Sequence, residues 1–231
     1  MRFTPLGDRA LTITLGDTID LATHRRVRAA ASAIDANPPA GVIEHVPAFA
    51  SLTVHYDPAR VSGTDASPYD RLVAQLDELL SAPRGDELPA TRVVEIPVCY
   101  GGTLGPDLEE LARVHQLSAQ QAIELHSSAE YFVYMVGFMP GFAYMGGLPE
   151  QLATPRRSTP RTAVPAGTVG IGGSQTGVYP LESPGGWHLI GRTPLRIFDV
   201  QREPATLLAA GDRARFVPIS LTEFERWPGR A

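Results

Sequence analysis

The chain has 231 residues, of which 43% are hydrophobic and 19% charged, enough to form one sizeable core or two small ones. All 20 basic residues are arginine, so there is no lysine for a Schiff base or for a G-x-x-x-x-G-K-[ST] phosphate loop. The net charge of −5 at pH 7 speaks against nonspecific binding to nucleic acid or to an anionic membrane surface.

The cysteine content indicates a reducing compartment, and the hydropathy pattern indicates neither a signal peptide nor a membrane span. Cys99 is the single cysteine, and no Cys/His spacing typical of a zinc site occurs. Residues 1–18 carry charges within an alternating pattern, unlike a signal peptide, and no segment has the roughly eighteen apolar residues of a membrane span. We therefore expect a cytoplasmic protein with no metal site and with neither nucleic acid nor membrane as a partner.

The first part of the chain predicts a small α+β unit. Three segments alternate between apolar and polar side chains and predict strands with one buried face: residues 11–15, 42–46 and 52–56. Residues 20–36 have apolar side chains at helical spacing, and Pro38 ends that helix because proline cannot continue the hydrogen-bond ladder. A second helix is predicted to begin at Ser67-Pro68.

A polar segment containing proline and glycine, residues 81–87, precedes a new strand at residues 92–98. We place the domain boundary near residue 88, which gives one domain over 1–88 and another over 89–231. Two helices are predicted next. One opens at Pro106 with acidic residues in its first turn, and the other opens with a capping box from Ser118 to Gln121.

Beyond Tyr131 the helical periodicity disappears. Residues 137–191 contain 12 of the 22 glycines, too many for helix interiors, so short strands joined by tight turns are expected. A last strand is predicted at 214–219 and a short helix at 221–227. The fold class is therefore α+β, with an all-β core, such as a barrel, in the second domain.

Cys99 and the glycines that follow it suggest two kinds of chemistry, each with a structural alternative. A Cys99 thiolate at a strand end is a possible nucleophile, but no neighbouring cation is present to lower its pKa, which favours a small buried side chain. Gly101-Gly102 before a helix resembles a phosphate cradle. Because Asp107 and two glutamates already place negative charge at that helix end, a capped structural helix is favoured.

Ser174 lies in a sequence that narrowly misses the G-x-S-x-G nucleophile elbow, and His188 with Asp199 completes a triad on paper. The elbow must lead from a strand into a helix, whereas this sequence continues as strand and turn, so Ser174 is interpreted as a turn residue. His45 and His55 lie on adjacent predicted strands and are candidates to meet there, but no third metal ligand accompanies them.

The glycine-rich stretch is also locally basic. Residues 137–198 hold five arginines and two glutamates, so an anion site built from guanidinium forks is one interpretation, and arginines bonded to loop carbonyls are the other. Its aromatic residues either line a pocket or fill the barrel. They are Phe138, Phe142, Tyr144, Tyr179 and Trp187.

Ordered blocks within residues 96–194 carry a family resemblance. The blocks are IPVCYGG (96–102), GPDL (105–108), GFMPGFAY (137–144), PRR (155–157), TPR (159–161), VPAGTV (164–169), QTG (175–177), SPGGW (183–187) and GRTP (191–194). With them the chain resembles the B subunit of 5-oxoprolinase, also called allophanate hydrolase subunit 1 or the KipI-type kinase inhibitor family.

The resemblance implies a small N-terminal α+β domain and a cyclophilin-like β-barrel domain. It implies a partner, the homologous C subunit (allophanate hydrolase subunit 2), and possibly an A subunit, in a complex that opens 5-oxoproline to glutamate at the expense of ATP. Whether this chain itself binds ATP is left open. Two other functions are compatible with the family: inhibition of a sensor histidine kinase, and a carboxyltransferase-type role in allophanate or urea processing.

The substrate class implied by the resemblance is a small amide or lactam bearing a carboxylate, which requires cationic forks and neutral hydrogen-bonding groups. We place the site on the glycine-rich barrel loops and assign no catalytic residue. The predicted substrate-binding residues are Phe142, Arg156, Arg161, Gln175, Thr176, Trp187, His188 and Arg192.

Overall fold

The computed structural model of the protein describes residues 1–18, 20–81 and 92–229. Contacts divide the chain into two compact units, Met1–Ala90 and Thr91–Ala231. The boundary predicted near residue 88 lies outside the described residues, so its position stays a prediction.

The described residues of the first unit form a four-stranded antiparallel sheet with two α-helices. Its elements are β1 (Arg2–Pro5), β2 (Ala10–Thr14), α1 (Leu21–Ala36), β3 (Val42–Pro47), β4 (Ser51–Tyr56) and α2 (Pro68–Ser81). The strand order is β1-β2-β4-β3. Alternate side chains of β2 and β4, such as Ile13 and Leu52, pack against Val27 of α1 and Leu72 of α2 in one core. The alternating and helical patterns thus produce the predicted elements.

Local signals set the ends of these elements. Asp20 caps α1 by accepting a hydrogen bond from the Thr23 backbone N–H at 2.7 Å. The sequence patterns did not predict strand β1. The register of β3 and β4 pairs His45 with Val54, so His45 and His55 point to opposite faces and do not meet. Instead, His45 Nε2 lies 2.7 Å from a carboxylate oxygen of Asp35.

The second unit contains the later helices and strands. They are β5 (Val93–Tyr100), α3 (Leu108–Val114), α4 (Ala119–Ser128), β6 (Tyr131–Val136), β7 (Ala143–Gly146), β8 (Arg161–Val164), β9 (Thr168–Gly172), β10 (Gln175–Val178), β11 (Ser183–Gly185), β12 (His188–Arg192), β13 (Arg213–Pro218) and α5 (Leu221–Glu225). The predicted capping box from Ser118 to Gln121 is present at the start of α4.

Seven of the described strands of this unit close a barrel in the order β10-β7-β6-β13-β5-β12-β9. Strands β5 and β13 are parallel, and the other neighbours are antiparallel. A separate two-stranded sheet pairs β11 with β8. The predicted α+β fold with a β-barrel in its second part is confirmed.

The structure shows the surroundings of Ser174, of Cys99 and of the start of helix α3. Ser174 lies in the tight turn between β9 and β10, as its interpretation required. Cys99 is buried within β5, and burial raises the pKa of its thiol, which suits a packing role. Helix α3 begins at Leu108 instead of Pro106, and the Asp107 side chain makes no capping hydrogen bond to it.

None of the helices formed by the described residues is long and apolar enough to cross a membrane. The cytoplasmic location stays a prediction.

Candidate functional site

An open cavity beside the barrel is lined mainly by aromatic side chains and glycines. Its volume is about 110 Å³. The lining residues are Phe138, Phe142, Tyr144, Arg156, Tyr179, Pro184, Gly185, Gly186 and Trp187. All five aromatic residues between positions 137 and 191 are therefore in the cavity wall. We call this site the aromatic cavity.

Phe142 lies at the centre of the aromatic wall. Its ring makes edge-to-face contacts with Tyr144 at 5.0 Å between centroids, and with Tyr179 and Trp187 at 5.6 Å each. Phe138, at the rim, contacts Phe142 in the same way. Edge-to-face packing places the positive edge of one ring against the negative face of the next, so the wall has a fixed shape.

Glycines make room for this wall. A Cβ atom at Gly172 would lie 2.4 Å from Cδ1 of Trp187, and one at Gly185 would lie 2.4 Å from the Tyr179 hydroxyl oxygen. Both distances are far below van der Waals contact, so any side chain at these positions would displace a ring. The high glycine content thus reflects packing of β9 and β11 against aromatic rings as well as turns.

Arg156 is the charged residue of the cavity wall. Its guanidinium carbon lies 5.9 Å from the centroid of the Trp187 ring, a cation–π distance. Hydrogen bonds hold the loop on both sides of it: His188 Nε2 lies 2.9 Å from the Pro155 carbonyl, and the Arg157 N–H donates to the Gly186 carbonyl. Arg156 makes no ion pair with another residue of the described segments.

Asp107 forms a buried clamp next to the cavity. One carboxylate oxygen accepts from Arg161 Nη2 at 2.7 Å and from Arg157 Nη1 at 3.4 Å, and the other accepts from the Leu189 N–H at 2.7 Å. Burial alone would raise the pKa of Asp107, but the hydrogen bonds from Arg161 and Leu189 and the two positive charges outweigh burial and lower it. The carboxylate therefore stays ionised and fixes Arg161.

A chain of hydrogen bonds links helix α4 to the barrel strands β5 and β10. His126 Nδ1 lies 2.7 Å from the Tyr100 hydroxyl, His126 Nε2 lies 2.9 Å from Thr176 Oγ1, and Thr176 donates to the Gly170 carbonyl. Because Thr176 donates to a carbonyl, its oxygen accepts from Nε2–H, which leaves Nδ1 to accept from Tyr100. Burial lowers the pKa of His126 to about 3, so the imidazole is neutral at pH 7.

The structure brings three of the eight predicted substrate-binding residues to the aromatic cavity: Phe142, Arg156 and Trp187. The other five have different surroundings. Arg161 is held by Asp107, and Thr176 is fully buried with its hydroxyl occupied. Gln175 lies on β10 at the turn from β9, His188 bonds the Pro155 carbonyl, and Arg192 Nε donates to the Ala166 carbonyl. Contact of any of the eight with substrate stays a prediction.

Sequence reasoning missed the contacts of two buried residues, Asp107 and His126. Asp107 was interpreted as an acidic residue at a helix dipole, whereas it binds an arginine 54 residues further along the chain. No sequence pattern singled out His126, because a buried histidine and an exposed histidine look alike in the sequence of an amphipathic helix. Among the described residues, no group of three or more His, Cys, Asp or Glu side chains is placed to hold a metal ion.

Comparison with known proteins places the chain in a family. The family described as carboxyltransferase domain, subdomain C and D, matches residues 1–208. The chain is 48% identical to the 5-oxoprolinase B subunit of Bacillus subtilis (strain 168) over 227 residues, which are 96% of this chain and 94% of that protein. The chain belongs to the family of 5-oxoprolinase B subunits. The resemblance found in the sequence blocks is thereby confirmed.

Two further relatives are much longer than this chain. The crystal structure of TTHA0988 superposes with a TM-score of 0.78 at 38% identity, covering 92% of this chain but 40% of that chain. Urea amidolyase of Lachancea kluyveri is 24% identical over 96% of this chain and 13% of its own length. This chain therefore spans less than half of each of these two longer proteins.

Proposed function

We propose that this chain is the B subunit of an ATP-dependent 5-oxoprolinase, which opens the lactam of 5-oxoproline to give glutamate. The observation that carries the proposal is the 48% identity to a 5-oxoprolinase B subunit over almost the full length of both chains. In this role it acts with the homologous C subunit, and with an A subunit, in the cytoplasm, where ATP is available. On its own it is nearly inactive.

The aromatic cavity is the proposed substrate site. Its volume suits a ligand with few atoms, and 5-oxoproline is a flat five-membered ring with one carboxylate. The exposed guanidinium of Arg156 supplies a fork for that carboxylate, and Phe142 and Trp187 supply apolar surfaces for the ring. Hydrogen bonds on both sides of Arg156 hold the backbone of its loop in place before the ligand arrives.

The Asp107 clamp joins two strands, β8 and β12, whose buried side chains pack with the cavity wall. It ties Arg161 of β8 to the backbone of Leu189 in β12, two elements that flank the cavity wall. Arg161 is thus proposed to keep the wall in shape, and Arg156 is the residue proposed to contact the carboxylate.

A role in urea processing is less well supported. The urea amidolyase relative is half as similar to this chain as the oxoprolinase relative is, and the chain matches a small part of its length. The match to a carboxyltransferase domain is shared by the whole family, so it does not by itself distinguish urea from 5-oxoproline as the substrate.

Comparing substrates tests the proposal. Purified chain is mixed with the A and C subunits of its complex, and ATP consumption is followed with 5-oxoproline, with urea plus bicarbonate, and without substrate. We expect 5-oxoproline alone to stimulate ATP consumption above the background. Stimulation by urea plus bicarbonate, with none by 5-oxoproline, would contradict the proposal.

A further inference from the structure

Tyr179 carries a hydroxyl group whose proton has no acceptor in the fold. The side chain is 2% exposed, and its ring packs against Phe142 in the aromatic wall. The hydroxyl oxygen accepts a hydrogen bond from the Trp187 backbone N–H, but none of the residues that the structure describes accepts the hydroxyl proton. By contrast, the buried Tyr131 donates its proton to the His126 carbonyl at 2.8 Å. A buried tyrosine hydroxyl usually has such a partner, so the unused donor of Tyr179 indicates a missing one.

The groups around this hydroxyl place it at the aromatic cavity. A Cβ atom at Gly185 would lie 2.4 Å from the hydroxyl oxygen, so the oxygen lies directly against that glycine. Gly185, Trp187 and Arg156 all line the cavity, and the positive charge of Arg156 acts on the hydroxyl. The acceptor that the protein does not supply therefore comes from the cavity, which is open to solvent and to a ligand.

The hydroxyl is a neutral donor at pH 7. Burial raises the pKa of Tyr179 and outweighs the hydrogen bond from Trp187 and the positive charges of Arg156 and Arg161, which lower it. A neutral phenol donates one proton and accepts at its oxygen. Because the Trp187 N–H already bonds to the oxygen, the group that Tyr179 presents to a ligand is its O–H.

We infer that the Tyr179 hydroxyl donates a hydrogen bond to the ring carbonyl oxygen of the ligand and so selects rings that carry this group, an inference that rests on the function proposed above. Arg156 binds the carboxylate and Tyr179 binds the carbonyl, so the two polar groups of the cavity recognise the two polar ends of 5-oxoproline. A ring without the carbonyl leaves the buried O–H unpaired. A site with an unpaired buried polar group discriminates against such an analogue.

The test compares two inhibitors that differ in the ring carbonyl. One is 3-oxocyclopentanecarboxylate, which keeps the carboxylate and the carbonyl at the spacing of 5-oxoproline but has no amide bond to open. The other is cyclopentanecarboxylate, which lacks the carbonyl. Each is titrated into the assembled complex, and its inhibition constant is measured from ATP consumption that depends on 5-oxoproline. We expect the native complex to prefer the ketone, and Tyr179→Phe to weaken the ketone about tenfold while changing cyclopentanecarboxylate by less than about twofold.

Two other tyrosines supply the controls. Tyr131→Phe removes a buried hydroxyl that also bonds to a backbone group of the same unit, so it is expected to lower the melting temperature without changing the ratio of the two inhibition constants. Tyr144→Phe removes the other tyrosine hydroxyl of the cavity wall and is expected to leave that ratio unchanged. The ratio therefore separates recognition of the carbonyl from a loss of stability.

Loss of the preference for the ketone in Tyr179→Phe alone supports the inference. Equal weakening of both inhibitors means that the hydroxyl contacts the carboxylate or only stabilises the wall, and an unchanged preference means that it contacts neither group. Either result overturns the inference, as does loss of the preference in Tyr144→Phe instead or its absence from the native complex. In all these cases ATP consumption that depends on 5-oxoproline leaves the proposed function intact, whereas a native complex that 5-oxoproline does not stimulate overturns both.

Discussion

Arg156 and Arg161 are five residues apart in the sequence but differ in what their guanidinium groups contact. Arg161 is engaged by the buried carboxylate of Asp107, whereas Arg156 stacks on Trp187 and faces the aromatic cavity. Arg156→Lys keeps the positive charge but removes the planar fork, so a carboxylate ligand loses its two-point contact. We expect KM for 5-oxoproline to rise about ten- to a hundredfold, corresponding to roughly 1–3 kcal/mol, with little change in kcat.

Arg161→Lys is the comparison for that prediction. The substitution breaks a 2.7 Å charge-assisted hydrogen bond, which is worth roughly 1–2 kcal/mol, so we expect the melting temperature to fall by about 2–8 °C. Arg113→Lys, on the exposed face of α3, should change neither quantity. Unchanged KM in the Arg156→Lys complex would contradict the role given to Arg156.

His126 makes the stability of the protein depend on pH. Its pKa is about 3 in the folded chain and near 6.5 when unfolded, so between these values the unfolded state binds a proton that the folded state does not. Stability is therefore full above about pH 6.5 and falls as the pH is lowered, by up to about 1.4 kcal/mol per pH unit from this group. Urea denaturation between pH 7.5 and 5 measures this slope.

Substitution of His126 should reduce the slope. Glutamine at this position can still accept from Tyr100 and donate to Thr176, so we expect His126→Gln to be less stable at pH 7.5 but flatter in its pH dependence. His24, whose pKa burial lowers to about 4, contributes a slope that remains. His55→Gln is the control. A His126→Gln slope equal to that of the native protein would show that His126 is not the group responsible.

At the scale of elements, glycines of the barrel strands determine where the Trp187 ring lies. Gly172→Ala would place a methyl group 2.4 Å from the indole, so the ring must move away from its position in the aromatic cavity. We expect a lower melting temperature and a red-shifted Trp187 emission, measured in a Trp227→Phe background so that one tryptophan reports. Core overpacking of this kind costs about 1–3 kcal/mol.

Gly137→Ala is the matched control for that substitution. A Cβ atom at Gly137 would meet Met135 Cε at 3.5 Å, an ordinary contact. Its melting temperature and its emission should resemble those of the native protein. If Gly172→Ala leaves both the emission and the melting temperature unchanged, the packing account of β9 is wrong.

Elements that depend on local sequence could be predicted, and contacts between distant residues could not. The Ser118 capping box and the Asp20 cap depend on residues three positions apart, so the sequence contains the whole signal. The pairing of β5 with β13 and the Asp107–Arg161 ion pair depend on barrel closure, which no local pattern encodes. The burial of Thr176 could not be foreseen for the same reason, because its partner His126 lies 50 residues earlier.

At the scale of the whole molecule, the periodicity separates an α+β unit from a barrel unit, but it contains no information on activity. The glycine-rich stretch left two alternatives for its aromatic residues, a pocket wall or the barrel core, and only the three-dimensional packing shows that they line the aromatic cavity. Function came from the family, since the cavity alone would fit many small carboxylates.

The proposed function makes this chain a required part of an enzyme that forms glutamate from 5-oxoproline. The direct measurement is glutamate formation from 5-oxoproline and ATP by the purified A and C subunits, with and without this chain. We predict that glutamate forms at a rate well above background when all three are mixed and that omission of this chain abolishes it. An equal rate without this chain would contradict the proposed function.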